Sequence, residues 1–368
     1  MRKTLMLAIS AALLVGGGLE AIAQSFTYTG SMASRRALHT ATLLDSGEVL
    51  VTGGEFKGHS GLNTAEVYNP STATFSSTGT LNTGRERHTA TLLHNGEVLI
   101  VGGQYSVYST SGSYYVCLAS AELYDPSTGK FTNTGSLQTA RCANFTATLL
   151  SDGTVLVVGG YNTSGIVAGA ELYNPSTGTF SAVGSPQTAR AAHAATLLPN
   201  GNVLIAGGGN ATTTFTSAEL YNPATKKFAL TGSMSTARST FAATLLESGT
   251  VLAAGGDNNN SIRLASAELY NPSTGKWTPT GSMNYARFGQ TATVLNSGKV
   301  LVAAGNLTPI AELYDPSSGK FSVTATQPTD IQDSAAVLLS DGAVLIPGGY
   351  NAAGQEGLAW LNTAVLYH

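Results

Sequence analysis

Six arginines and six glutamates recur in step along this chain. Arg36, Arg85, Arg141, Arg190, Arg238 and Arg287 each open a run such as Arg85-Glu-Arg-His-Thr-Ala-Thr-Leu-Leu. Glu66, Glu122, Glu171, Glu219, Glu268 and Glu312 each stand in a segment such as Ala121-Glu-Leu-Tyr124. Left free, the two sets could form a cationic mouth for an acidic ligand, or act together on a sugar. Paired, they would be one internal ion pair per copy. The seventh copy favours pairing. Its arginine position is Ile331 and its glutamate position is Val365. Both partners are lost together and both become apolar, as expected if a buried ion pair is exchanged for packed apolar side chains at little net cost.

Three histidines, His39, His88 and His193, stand three residues after an arginine. Imidazoles in register could ligate a metal. The matching positions of other copies hold Phe145, Phe241, Gln290 and Ser334. Phenylalanine substitutes for a packing residue and not for a ligand, so packing or hydrogen bonding is expected here, with no metal and no cofactor.

Departures from the repeat carry the better recognition signal, because binding residues favour loops on a rigid scaffold. The longest insertion, residues 104–118, holds Tyr105, Tyr108, Tyr114 and Tyr115 among small polar residues. That mixture gives large contact area at low entropic cost and suits stacking on sugar rings. His59, Phe215, Trp360 and the run Asn258 to Asn260 occupy the corresponding connections of other copies. The asparagine run lacks the acidic spacing of a calcium loop. The only two cysteines, Cys117 and Cys142, close this insertion and open the next copy. In an exported protein they are expected to form a disulfide.

These residues hang on a repeat. Its glycine pair ends in Gly54, Gly103, Gly160, Gly208, Gly256, Gly305 and Gly349, at intervals of 44 to 57 residues. Each copy predicts four strands: an inner one like His39 to Leu44, a second like Val49 to Val51, a third around Ala-Glu-Leu-Tyr, and a fourth centred on Phe75, Phe131, Phe180, Phe228, Trp277 or Phe321. Asp45-Ser-Gly47 and its relatives fit hairpin turns, where glycine supplies the positive φ. In the glycine pair, the second residue is invariant among the copies but the first becomes Ala304, so a methyl group is expected to be tolerated there. Units this small cannot bury a core alone, and a ring of stacked sheets lets each cover the next. The fold class is therefore all-β, a seven-bladed β-propeller with four-stranded blades. The seventh copy stops after its third strand at His368, and the segment around Phe26 is expected to supply its fourth.

The first residues have the pattern of a secretory signal: Arg2 and Lys3, an apolar stretch from Leu5 to Val15, and Ala21-Ile22-Ala23 before Gln24. The expected division is a signal peptide over 1–23 and the propeller over 24–368. No later stretch is long and apolar enough to span a membrane. Charged residues are 11% of the chain and the net charge is −3, without clusters of either sign, which argues against a nucleic-acid surface.

The pattern Arg-x-x-His-Thr-Ala-Thr-Leu-Leu, Gly-Gly, Glu-Leu-Tyr-Asn-Pro and terminal Phe or Trp resembles the kelch repeat over Gln24 to His368. It is similar to the propeller of the galactose oxidase type. That resemblance implies a copper site with a cysteine-linked tyrosine three residues after a repeat arginine, and a histidine from an added C-terminal domain. His39, His88, His193, Phe241 and Gln290 stand at that tyrosine position, Cys142 directly follows Arg141, and the chain ends with the propeller. The copper site is therefore expected to be lacking. Kelch propellers span binding modules, copper oxidases and sugar-ring epimerases, so fold alone does not decide function. The expectation is a monomeric, secreted or periplasmic binding module, not an enzyme. It would recognise a protein or glycan, and no nucleic acid, through the face carrying the strand 2–3 loops. A carbohydrate-active enzyme, epimerase-like or a divergent oxidase, is the alternative.

Overall fold

The computed structural model describes residues 24–56, 61–109, 112–258, 262–305, 308–351 and 359–368, with the side chains of Tyr108 and Ser109 outside that set. Residues 1–23, where a signal peptide is expected, and His59 thus lie outside the described residues, as do Asn259 and Asn260. Among the described residues there is no helix.

Seven sheets, each built on four antiparallel strands, follow one another along the chain. The first comprises Thr40–Leu43, Val49–Thr52, Thr64–Asn69 and Thr74–Thr80. Second strands such as Val49–Thr52, Val98–Val101 and Val203–Ala206 are buried throughout. They read as continuous apolar runs because both faces of each sheet are covered by neighbours. The apolar clusters accordingly lie between blades: Leu50 and Ala65 of the first sheet pack with Val98, Ile100 and Tyr124 of the second. The inner strands neighbour one another in order, and the seventh, Val337–Leu338, lies against both Thr291–Val294 and Thr40–Leu43, which closes the ring. Phe26–Tyr28 pairs with Ala364–Tyr367 in the register Phe26 to Tyr367 and Tyr28 to Val365, completing the last blade. The Phe26 and Tyr367 rings sit 5.2 Å apart, close to the 4.8 Å of Tyr68 and Phe75.

Each third-strand tyrosine is buried against its fourth-strand aromatic, and its hydroxyl must find a partner. Thr29, Thr78, Thr134, Thr231, Thr280 and Thr324 of the preceding blade bond Tyr68, Tyr124, Tyr173, Tyr270, Tyr314 and Tyr367 at 2.8–2.9 Å. Tyr221 is the exception: the residue in that place is Val183, and its hydroxyl is buried without a partner. Burial pushes the Tyr221 phenol up to about 12. Val183→Thr adds the missing partner in a side chain of matching shape. It should raise stability by about 0.5–1.5 kcal/mol, read as a higher urea midpoint, with no gain when Tyr221→Phe is also present.

The glycine pair behaves differently from the sequence expectation. Both positions, not only the second, lie in the left-handed region: Gly53 has φ 61° and Gly54 100°. A Cβ at Gly53 would stand 2.4 Å from the Arg85 carbonyl oxygen of the next blade, and one at Gly159 2.2 Å from that of Arg190. The methyl of Ala304 is a local exception, held at φ 57° beside the blade that has lost its arginine. Gly53, Gly102 and Gly207 donate to backbone oxygens of Thr64, Ser120 and Ser217, whereas the Ala304 N–H donates to Gln327 Oε1 at 3.0 Å.

Candidate functional site at the loop-bearing face

The arginine and glutamate of each copy meet inside their own blade. Arg36, Arg85, Arg141, Arg190, Arg238 and Arg287 lie 2.8–3.1 Å from Glu66, Glu122, Glu171, Glu219, Glu268 and Glu312. All six guanidinium groups are fully buried. Burial pulls each arginine below its usual range, and the adjacent glutamate opposes that shift. Arg36 also donates through Nη1 to Gly53 O at 2.8 Å and Thr64 O at 3.1 Å, tying the glycine pair to the third strand. Glu66 accepts the backbone N–H groups of Ala33 and Ser34 at 2.7 and 3.2 Å. The pair therefore bolts the connection entering a blade to the strands within it.

That geometry explains a third change in the seventh copy. The residue three before the arginine, Ala33, Asn82, Gln138, Gln187, Ser235 or Asn284, donates its N–H to the glutamate in every other blade. In the seventh copy it is Pro328, which has no N–H to leave unpaired. Ile331, Val365 and Pro328 thus replace charge, countercharge and donor together. Ile331 and Val365 are 2% and 1% exposed and share one apolar cluster.

The histidines point inward and are buried. His88 Nε2 bonds Thr40 Oγ1 at 3.0 Å and Thr52 Oγ1 at 3.1 Å, and His193 Nε2 bonds Thr146 Oγ1 at 2.9 Å. Desolvation, then nearby arginine charge, lowers His39 and His193 to about 3 and His88 well below its usual value. Gln290 and Ser334, in the same repeat position, spend their polar atoms on Ala254 O at 2.7 Å and Pro347 O at 2.6 Å. Among the described residues no three histidine, cysteine or carboxylate side chains converge as metal ligands.

The long insertion folds as a hairpin, Gln104–Ser109 against Gly112–Cys117, and the Cys117–Cys142 disulfide fixes its base to the third blade. Tyr114 and Tyr115 are each 57% exposed, and Tyr105 is half-buried. Below Tyr115 opens a pocket of about 390 Å³ lined by Glu55, Glu86, Arg87, Gln104, Tyr161, Asn162 and Thr163. Glu86 is 1% exposed, and its Oε1 accepts Gln104 Nε2 at 2.9 Å. Burial first, then the charge of Glu55 against the aid of Gln104, pushes the Glu86 carboxyl up to about 7. Glu55 takes a bond from Trp360 Nε1 at 3.4 Å, and Phe56 packs edge-on to Trp360 at 6.1 Å.

Other candidate residues are spent elsewhere. The Phe215 ring covers the Arg190 guanidinium at 5.6 Å and is partly buried, which makes it packing for an ion pair. Asn258 accepts the Ile262 N–H through its side chain, shaping its own loop.

A polar group absent from the sequence reading stands at the pocket's edge. Two residues after the repeat arginine, or three in the third copy, come Leu38, Arg87, Asn144, Ala192, Thr240, Gly289 and Asp333, all with φ between 48° and 64°. Leu38 N donates to Asp333 O, Arg87 N to Leu38 O, Ala192 N to Asn144 O, Thr240 N to Ala192 O and Gly289 N to Thr240 O, at 2.9–3.0 Å. This belt runs from blade to blade and carries Arg87 and Asp333 to neighbouring places. Burial raises the Asp333 carboxyl, opposed first by Arg87, and Tyr350 bonds to it. The sequence signal was present: the position varies freely while its neighbours repeat.

Seven four-stranded blades, closed by an N-terminal strand and bolted by buried arginines, define a β-propeller of the kelch type. Residues 38–256 match the family described as the KLHDC2/KLHL20/DRC7 Kelch-repeats domain, and residues 248–284 match the Kelch motif; the chain belongs to the kelch-repeat family. It is similar to a fungal alcohol oxidase of the AA5 family in complex with copper, with a TM-score of 0.73 and 17% identity over 93% of this chain and 75% of that one. It is also similar to YjhT, with a TM-score of 0.60 and 13% identity over 80% of this chain and 98% of that one. At these identities the likeness shows the fold. A comparison with curated proteins gives no match. Among the described residues, His88 is committed to two threonines, and no third histidine, cysteine or carboxylate converges with His39 and His88 as a copper ligand would.

Proposed function

We propose that this chain is an exported binding module that takes a glycan at the loop-bearing face. The observation that supports it is the pairing of exposed Tyr115 with a polar pocket that it lines. Aromatic faces stack on the C–H face of a sugar ring, while carboxylates, amides and hydroxyls bond its ring hydroxyls. Glu55, Arg87, Asn162 and Thr163 supply those groups. The disulfide at the hairpin base lowers the ordering cost of binding.

A glycan array followed by calorimetry tests this reading. Tyr115→Ala should weaken the best sugar about tenfold, on the order of 1.4 kcal/mol, with the unfolding midpoint unchanged. Equal affinity in that variant, or no sugar bound at all, contradicts it. The raised carboxyl of Glu86 beside Glu55 favours one alternative, a carbohydrate-active enzyme, since such pairs divide acid and base roles. NMR of sugar anomers and linkages during incubation would reveal turnover.

A further inference from the structure

We propose that the sugar taken at this pocket carries a protonated amine, seated against Glu55 with Glu86 behind it. The inference rests on the glycan reading above and names the class of sugar. Every other fully buried glutamate of the repeat faces an arginine at 2.8–3.1 Å. Glu86 does not: among the described residues no lysine or arginine nitrogen lies within 4 Å of Glu86 or Glu55. Its Oε1 has the Gln104 amide, while its Oε2 is buried and meets no amide, hydroxyl or cation, its remaining hydrogen-bonding neighbour being the Glu55 carboxyl. It nonetheless lines the pocket, beside the partly exposed Glu55. Arg87, the one cation of the pocket wall among the described residues, is the leading charge acting on Asp333 and the least of the influences on Glu86.

Among the described residues, the two carboxyl groups therefore neighbour one another with no positive charge within 4 Å. An ammonium supplies one: its N–H bonds reach two carboxylate oxygens, and its charge replaces the proton that the pair otherwise holds. A uronic or sialic acid would bring a third carboxylate to the same place. Asn162, Thr163 and Tyr115 remain for the hydroxyls and apolar face of the ring. Among the described residues, Glu55, Arg87, Tyr115, Tyr161, Asp330, Asp333 and Tyr350 are the other ionisable groups of this neighbourhood. Because the ammonium displaces the Glu86 proton, its binding should strengthen from pH 5.5 to pH 7, while that of an uncharged sugar should not.

The test is calorimetry of the full chain with glucosamine oligomers, N-acetylglucosamine oligomers and glucuronate-containing oligosaccharides. The expected result is at least tenfold preference for the free amine over the acetylated form, and weaker binding still of the acidic sugars. Glu55→Gln and Glu86→Gln should each remove that preference, bringing the amine and the acetylated sugar to within twofold of one another. Equal binding of amine and acetamide, or tightest binding of acidic sugars, overturns the amine assignment while leaving the glycan reading standing. An amine preference that survives in both glutamine variants marks attraction to the chain's overall negative charge, and overturns it too. Binding of no sugar in any class removes both readings.

Discussion

Glu268→Ala should destabilise the propeller by about 3–5 kcal/mol, the range for stripping one partner from a buried ion pair. Glu268 lies 3.0 Å from Arg238, which is fully buried, and also accepts Ser235 N at 2.8 Å and Thr236 N at 3.1 Å. Its removal leaves a buried charge and two N–H groups without partners. The Arg238→Met and Glu268→Leu pair should cost less than either single change, because no charge is then stranded. Adding Ser235→Pro should recover more, since it deletes the donor as Pro328 does in the seventh blade. Denaturant midpoints of the single, double and triple variants check this. Additive losses would mean that the three positions act independently, contrary to the seventh blade's joint change. Sugar affinity should be the same in any variant that stays folded.

Replacing Cys117 and Cys142 by serine should cost about 3–4 kcal/mol by the chain-entropy estimate for the loop they close. The bridge spans 25 residues of sequence and ties the tyrosine hairpin to the entry of the third blade. Its loss should therefore lower sugar affinity as well as the unfolding midpoint, since Tyr115 and Cys142 both border the pocket. Hydrogen exchange over residues 112–117 should quicken in the variant. Unchanged stability, or peptide mapping of unreduced protein without a Cys117–Cys142 link, contradicts this.

The ring and its closure by Phe26–Tyr28 were legible because repetition exposes them: seven copies show which residues vary together. Ile331 and Val365 by themselves point to a paired role for Arg238 and its equivalents. The pocket was less legible for the converse reason. Glu55, Glu86, Arg87 and Asp333 occupy positions that vary among the copies, and variation alone does not say which copies carry a site. The belt they adjoin forces Leu38, Arg87 and Asp333 into left-handed conformations that glycine would ordinarily fill, a demand set by blade-to-blade hydrogen bonds and not by local preference. Pro328 was overlooked because a proline before a strand looks like an ordinary turn residue. Only the bond from Ser235 N to Glu268 shows what it replaces. An aromatic in a loop such as Phe215 can serve a ligand or a neighbour, and the neighbour that the structure gives it is Arg190.

A crystal structure of the chain with a bound glucosamine oligomer tests the account most directly. The account predicts a sugar ring stacked on Tyr115 with its amine against Glu55, and the six buried arginines still paired with their glutamates. A sugar lodged elsewhere on the propeller, or one that draws Arg190 away from Glu219, would contradict it.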